Sequence, residues 1–154
     1  MSEPRPLRAP AISRRFASAI YESLLLVALV FIATWPFIAF FGDSTQGWRR
    51  HALQGWIVVV CGAYFVGFWT RGGQTLPMKT WRMRVVRRDG SPLGVFQALH
   101  RYVAAVVGLA ALGAGFLWAL VDRDRQFLHD RIAGTAIVDA RGETAGDAQR
   151  LSAR

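Results

Sequence analysis

The sequence predicts an all-α membrane protein with about three transmembrane helices and a short cytoplasmic strand and elbow segment between the second and third. Two observations carry that expectation. Apolar residues make up 53% of the 154-residue chain and gather in three charge-free runs, 23–41, 52–70 and 102–121, of 19, 19 and 20 residues. As a helix, each run is roughly 30 Å long, about one bilayer core. The basic residues are the second observation. Four arginines precede the first span, Arg49 and Arg50 follow it, seven Arg/Lys lie in 71–101, and six follow the third run. By the positive-inside bias, the N-terminus and 71–101 are cytoplasmic and the 42–51 loop is outside.

Net charge is +9, which in a soluble chain would suggest nucleic acid. Here the charge is read as topology, with the bilayer and its anionic lipid headgroups as partners and no nucleic acid.

Residues 1–11 hold Pro4, Pro6 and Pro10 and are expected to form a disordered tail. Helix one should start near Ile12 or Ser13, span 16–41, and meet a potential kink at Pro36. A secretory signal is the competing reading. It is disfavoured because the run is long, lacks a small-x-small cleavage site, and is followed by two further apolar runs. The second span, 52–70, is bracketed by Trp48, Trp56 and Trp69, as aromatic anchors require. Ala63 with Gly67, and Ala111 with Gly115, make small-xxx-small pairs at which helices can approach. In 71–101, Trp81, Met83 and Val85 alternate with Arg82 and Arg84 and end at Asp89-Gly90, a strand running into a turn. "GVFQALHRYV" begins a helix, and "GTAIVDARGE" repeats the strand-and-turn pattern, so the two strands can pair. The membrane domain is read as 12–139 and 140–154 as a disordered tail.

Strand pairing conflicts with three simple crossings, which put the C-terminal tail outside while 81–88 stays inside. Three full spans are the expectation carried forward. The alternative is that Gly108, Gly113 and Gly115 break the third run into a re-entrant elbow.

"GQTLPMKT" imitates a phosphate loop from Gly73 to Lys79 and Thr80, but Met78 replaces the required glycine and Pro77 removes a backbone donor. His51, His100 and His129 are dispersed and Cys61 is alone in a span, so neither a metal site nor a disulfide is expected. No cofactor and no catalytic constellation is readable, and the chain is not expected to be an enzyme.

Glu22 is the sharp feature. An acid near the bilayer centre costs about 3 kcal/mol on insertion scales, so such groups face protein or a water path and have a partner. Glu22 lies seven residues from Arg15, about 10 Å along one helix face, too far for an easy direct contact. Arg71, Arg101 and the cluster from Arg123 to Arg131 are candidate partners for Glu22, and Asp130 for Arg15. Whether Glu22 makes a structural contact or lines a path stays open.

With these residues assembled, the chain resembles the RDD family of small bacterial membrane proteins, named for one arginine and two aspartates. The resemblance covers roughly 12–139. Arg15 in "RRF" stands at the family's arginine, and Glu22 occupies the first aspartate position. Gly73, Gln74, Thr75, Lys79, Val85, Val86, Asp89 and Gly90 match its central pattern. His129, Asp130, Ala133, Gly134 and Thr135 match its ending. Glu for Asp keeps the carboxylate and adds a methylene. The resemblance implies a multi-pass protein of the bacterial inner membrane with a cytoplasmic N-terminus, and transport of unidentified ligands, with cation/proton exchange suggested for some members.

Two functions follow. One is transport of an ion or small solute by a homo-oligomer, with Arg15, Glu22 and Asp130 as the charged site and Arg101, His129, Gly73, Gln74, Thr75 and Lys79 in support. The other is a membrane scaffold in which the charged trio is structural and the basic 71–101 segment binds lipid or a partner. A lipid-modifying enzyme is a distant third.

Overall fold

The long apolar stretch after Ala11 forms α1 (Ile12–Phe41), 30 residues that include Pro36. In the computed structural model, residues 9–42, 44, 46–111, 113, 118 and 127–141 are described. Most of both expected tails, the second half of the 102–121 run and Arg123 and Arg125 lie outside the described residues.

The burial on α1 is inverted relative to a soluble helix. Arg15, Ser18 and Glu22 are buried, whereas Val27, Phe31, Ile32 and Trp35 are exposed. Polar residues inward and large apolar ones outward are what a helix in lipid presents.

A short turn leads to α2 (Gly47–Gly72). Glu22 meets Tyr64, and the Trp56 indole N–H donates to the Ala33 carbonyl at 2.9 Å. Ascending residues on one helix therefore meet descending ones on the other, and α1 and α2 form an antiparallel pair. Both are long and apolar enough to cross a membrane. The expected spans 16–41 and 52–70 lie inside them.

α2 ends at Gly73, whose φ of +68° puts it in the left-handed region. A Cβ there would stand 2.5 Å from the Val85 carbonyl oxygen, and the Gly73 carbonyl accepts from the Val85 N–H at 2.7 Å. Only glycine lets the helix end lie this close to a strand. A single turn, α3 (Leu76–Thr80), follows and leads into β1 (Met83–Arg87). The chain then turns at Asp89-Gly90 into α4 (Val95–Ala110). Beyond it stand α5 (Leu128–Ile132) and β2 (Thr135–Asp139).

β1 and β2 pair antiparallel, Met83 opposite Asp139 and Arg87 opposite Thr135. This is the pairing that the two strand-and-turn patterns suggested, and it makes the fold mostly helical rather than all-α. It also bears on sidedness. The chain leaves β1 and returns to pair with it, so the two strands stand on one side. Three simple crossings, with the tail opposite residues 81–88, do not fit that pairing. α4 has 16 residues, about 24 Å against a core of about 30 Å. Among the described residues, the fold thus has two long apolar helices and a shorter third.

The core gathers at the sheet end. Trp69, Met78, Met83, Val85, Leu93, Ala98, Tyr102, Phe127 and Ile137 pack together, while Val86, Ala136 and Val138 cover the other sheet face. α2 and α4 touch closely at Gly62, where a Cβ would lie 2.9 Å from the Tyr102 ring. Gly67, one of the expected small-residue contacts, has open space around it. The intramolecular close approach is at the residue just before Ala63, on a neighbouring face of α2 rather than at the small-xxx-small pair, and Gly115 lies outside the described residues.

Candidate functional site

Glu22 is 9% exposed on the face of α1 turned to α2 and α3. Two hydroxyl groups answer it. Tyr64 of α2 donates to one carboxylate oxygen at 2.7 Å. Thr75 donates to the other at 2.5 Å. Thr75 stands at the N-cap position of α3, where a threonine hydroxyl ordinarily accepts from the helix backbone, but it makes no such bond. It points at Glu22 instead, while its carbonyl takes the Lys79 N–H at 3.0 Å. The glycine at 73 sets up this geometry, because the left-handed turn aims Thr75 back toward α1.

Of the expected cationic partners of Glu22, Arg71 and Arg101 are elsewhere, and Arg123 and Arg125 lie outside the described residues. Arg101 of α4 is 1% exposed and pairs with Asp130, which is fully buried. Its Nε donates to Asp130 Oδ1 at 3.0 Å, and Nη2 donates to the same oxygen. The guanidinium also lies over the Trp69 ring, 4.3 Å from its centroid, a contact that strengthens when it is shielded from water. Arg71 is exposed at the end of α2.

Arg15 does not bond to Asp130. It is 1% exposed and donates from Nη2 to the Ile137 carbonyl at 3.1 Å. Its neighbour Arg14 has a related task. It donates to Asp139 at 2.6 Å, to the Arg82 carbonyl at 3.3 Å, and to the Trp81 carbonyl. Arg82 holds a φ of +49°, costly for a residue with a side chain. Both arginines of "RRF" therefore fasten the start of α1 to the sheet. Burial raises the Asp139 pKa, but hydrogen bonds from the Arg141 N–H and Arg14, with both positive charges, carry it below the usual carboxylate value.

His129 is buried, with its ring stacked on Phe127 at 5.4 Å between centroids. Burial pushes its pKa down to about 4. The Asp130 charge opposes that shift and the Arg101 charge adds to it. The imidazole is neutral at pH 7. Gln74 donates to the Met83 carbonyl at 2.7 Å and so joins the α2 end to the strand. Lys79 is exposed beside Arg71.

The sequence-predicted residues fall into two groups. Glu22 and Thr75 come together with Tyr64. Asp130, Arg101 and His129 come together beside Trp69, and Arg15 docks onto the sheet. Tyr64 is the contributor the sequence reading missed. The signal was a tyrosine within an apolar run, whose hydroxyl must find a partner when buried. Among the described residues, no group of three or more His, Cys, Asp or Glu could hold a metal ion.

A family model described as the RDD family matches residues 9–134. The uncharacterized protein RP437 of Rickettsia prowazekii (strain Madrid E) is 34% identical over 85 residues, 53% of this chain and 45% of that protein. The match thus spans less than half of the relative. No solved structure matches the chain.

Proposed function

The chain belongs to the RDD family, and from that premise we propose that it is a multi-pass protein of the bacterial inner membrane, N-terminus in the cytoplasm, that exchanges protons for a small cation at Glu22. One observation carries the reading. Glu22 is buried between apolar helices with two neutral hydroxyls as partners and, among the described residues, no cation. An arginine partner would fix the carboxylate's charge. Two hydroxyls leave the site able to hold a proton or a small hard cation, to which carboxylate and hydroxyl oxygens are suitable ligands. Two long helices are too few to enclose a path, so the working unit is a homo-oligomer.

The scaffold reading keeps one observation of its own. Arg14, Arg15 and the Arg101–Asp130 pair bond within the fold. In both readings these residues build the platform, and only Glu22 separates them.

The test is Glu22→Gln in sealed vesicles carrying a pH-sensitive dye. Glutamine keeps an acceptor for one hydroxyl and cannot change charge. Cation-driven proton flux should fall to the background of empty vesicles while the variant elutes in detergent like the wild type. Wild-type flux in that variant would sink the transport reading. Loss of assembly with flux per assembled particle retained would favour the scaffold.

A further inference from the structure

Beside the Glu22 site, on the outer side of Tyr64, is a cavity of about 230 Å³ lined by Ala63, Tyr64, Gly67, Phe68, Arg71, Gly72, Gln74 and Lys79. Its floor is the small-residue stripe of α2, and the Gly67 position has nothing within 4 Å of a Cβ. Two cations stand at its mouth, Arg71 in the last turn of α2 and Lys79 in the last turn of α3. Neither has an acidic partner among the described residues. Arg14 and Arg101, by contrast, are answered by Asp139 and Asp130.

We infer that this cavity binds a phosphate group, and specifically the phosphate of an anionic phospholipid headgroup. The charge balance favours an anion. Two full positive charges outweigh the partial charge of about −0.5 at the C-terminus of α2, and also one ionised Glu22 behind Tyr64. The shape favours a headgroup. The volume is below the roughly 300–1,000 Å³ of pockets that enclose a whole small molecule, and one wall is aromatic and glycine backbone, suited to the first carbons of a lipid. Its position favours a lipid as well. The cavity sits where the apolar helix α2 ends, the level at which headgroups lie and at which basic pockets between helices take lipid phosphates. Arg71 supplies a fork of donors to the phosphate oxygens and Lys79 a point charge.

The experiment measures retention of phosphatidylglycerol against phosphatidylcholine by the full chain in detergent, using native mass spectrometry, with inorganic phosphate titrated as a second arm. Wild type should keep phosphatidylglycerol at least tenfold better than phosphatidylcholine. Arg71→Gln with Lys79→Gln should abolish that preference. Gly67→Leu keeps both cations and fills the floor, and it should abolish the preference too, whereas Arg88→Gln, an exposed charge outside the cavity, should leave it unchanged. The inference is overturned if Gly67→Leu retains phosphatidylglycerol like the wild type, or if Arg88→Gln lowers retention as much as Lys79→Gln, because the attraction would then be diffuse. It is also overturned if Gly67→Leu changes the oligomeric mass while lipid preference persists, since the cavity would then be a helix contact. Displacement of the lipid by millimolar inorganic phosphate, with equal retention of both lipids, assigns the cavity to free phosphate and removes the headgroup.

Discussion

A buried arginine is tolerated only when its charge is answered, and Arg101 has a carboxylate on one side and an indole face on the other. Removing one partner leaves a buried charge exposed to the cost of desolvation. Asp130→Asn should therefore destabilise the fold by about 3–5 kcal/mol, seen as a lower midpoint in SDS unfolding. The exposed Asp89, which takes two hydrogen bonds from Ser91 in a turn, should matter far less when changed to Asn. His129 adds a pH signature. Its folded pKa of about 4 lies below its ordinary value of 6.5, so the unfolded chain takes up the proton first as pH falls. Stability is full above about 6.5 and declines toward 4. Asp139, held below its usual value, contributes only in the more acid window beneath that. Melting temperature between pH 7 and 4.5 should fall in the wild type and change less in His129→Gln. At this scale the sequence identified which residues are under constraint, because a charge in or beside an apolar run must be answered. It did not identify the pairs. Helical spacing says which face Glu22 is on, but not that a tyrosine 42 residues later and a threonine 53 residues later stand opposite.

Among the elements, the corner between α2 and β1 determines where Thr75 points, and it depends on one backbone conformation. Gly73 combines a φ of +68° with a 2.5 Å approach of any added Cβ to the Val85 oxygen. Gly73→Ala meets a conformational cost of about 1–2 kcal/mol and a backbone clash besides. The preceding Gly72 is helical with nothing within 4 Å of its Cβ, so Gly72→Ala should be neutral or mildly stabilising. The paired variants, compared by thermal unfolding in detergent, separate the turn from any general dislike of alanine. In proton-flux vesicles, Gly73→Ala should also lose activity beyond its loss of folded protein, since it re-aims Thr75. The sequence made the strands legible, because alternation of Met83 and Val85 with Arg82 and Arg84 is a local period. The close packing of Gly62 on Tyr102 was not legible. The glycines inside α2, Gly55, Gly62 and Gly67, look alike in sequence, and only the path of α4 decides which one is covered.

For the whole molecule, the sheet decides what the apolar runs could not. Three charge-free runs read one by one suggest three crossings, yet the Val85 and Ile137 backbones are paired across the sheet, and hydrogen-bonded strands cannot lie on opposite faces of a bilayer. β2 must therefore stand on the same side as β1. Sidedness labelling in a Cys61→Ser background checks this directly. Arg88→Cys lies just after β1, Arg141→Cys just after β2, and Gln46→Cys in the turn between α1 and α2; all three positions are exposed. In intact cells an impermeant maleimide should label Gln46→Cys alone, and in inverted vesicles it should label Arg88→Cys and Arg141→Cys alone. Labelling of Arg88→Cys and Arg141→Cys from opposite sides would break the sheet, and with it the docking of Arg14 and Arg15 that seats α1. Equal labelling of all three from one side would leave the sheet intact but remove α1 and α2 as crossings. The expected pattern places the Glu22 site and the Arg71–Lys79 cavity near the cytoplasmic end of the helix pair, since Tyr64 and Thr75 lie on the approach to β1. A proton or cation at Glu22 would then be reached from the cytoplasm over a short distance.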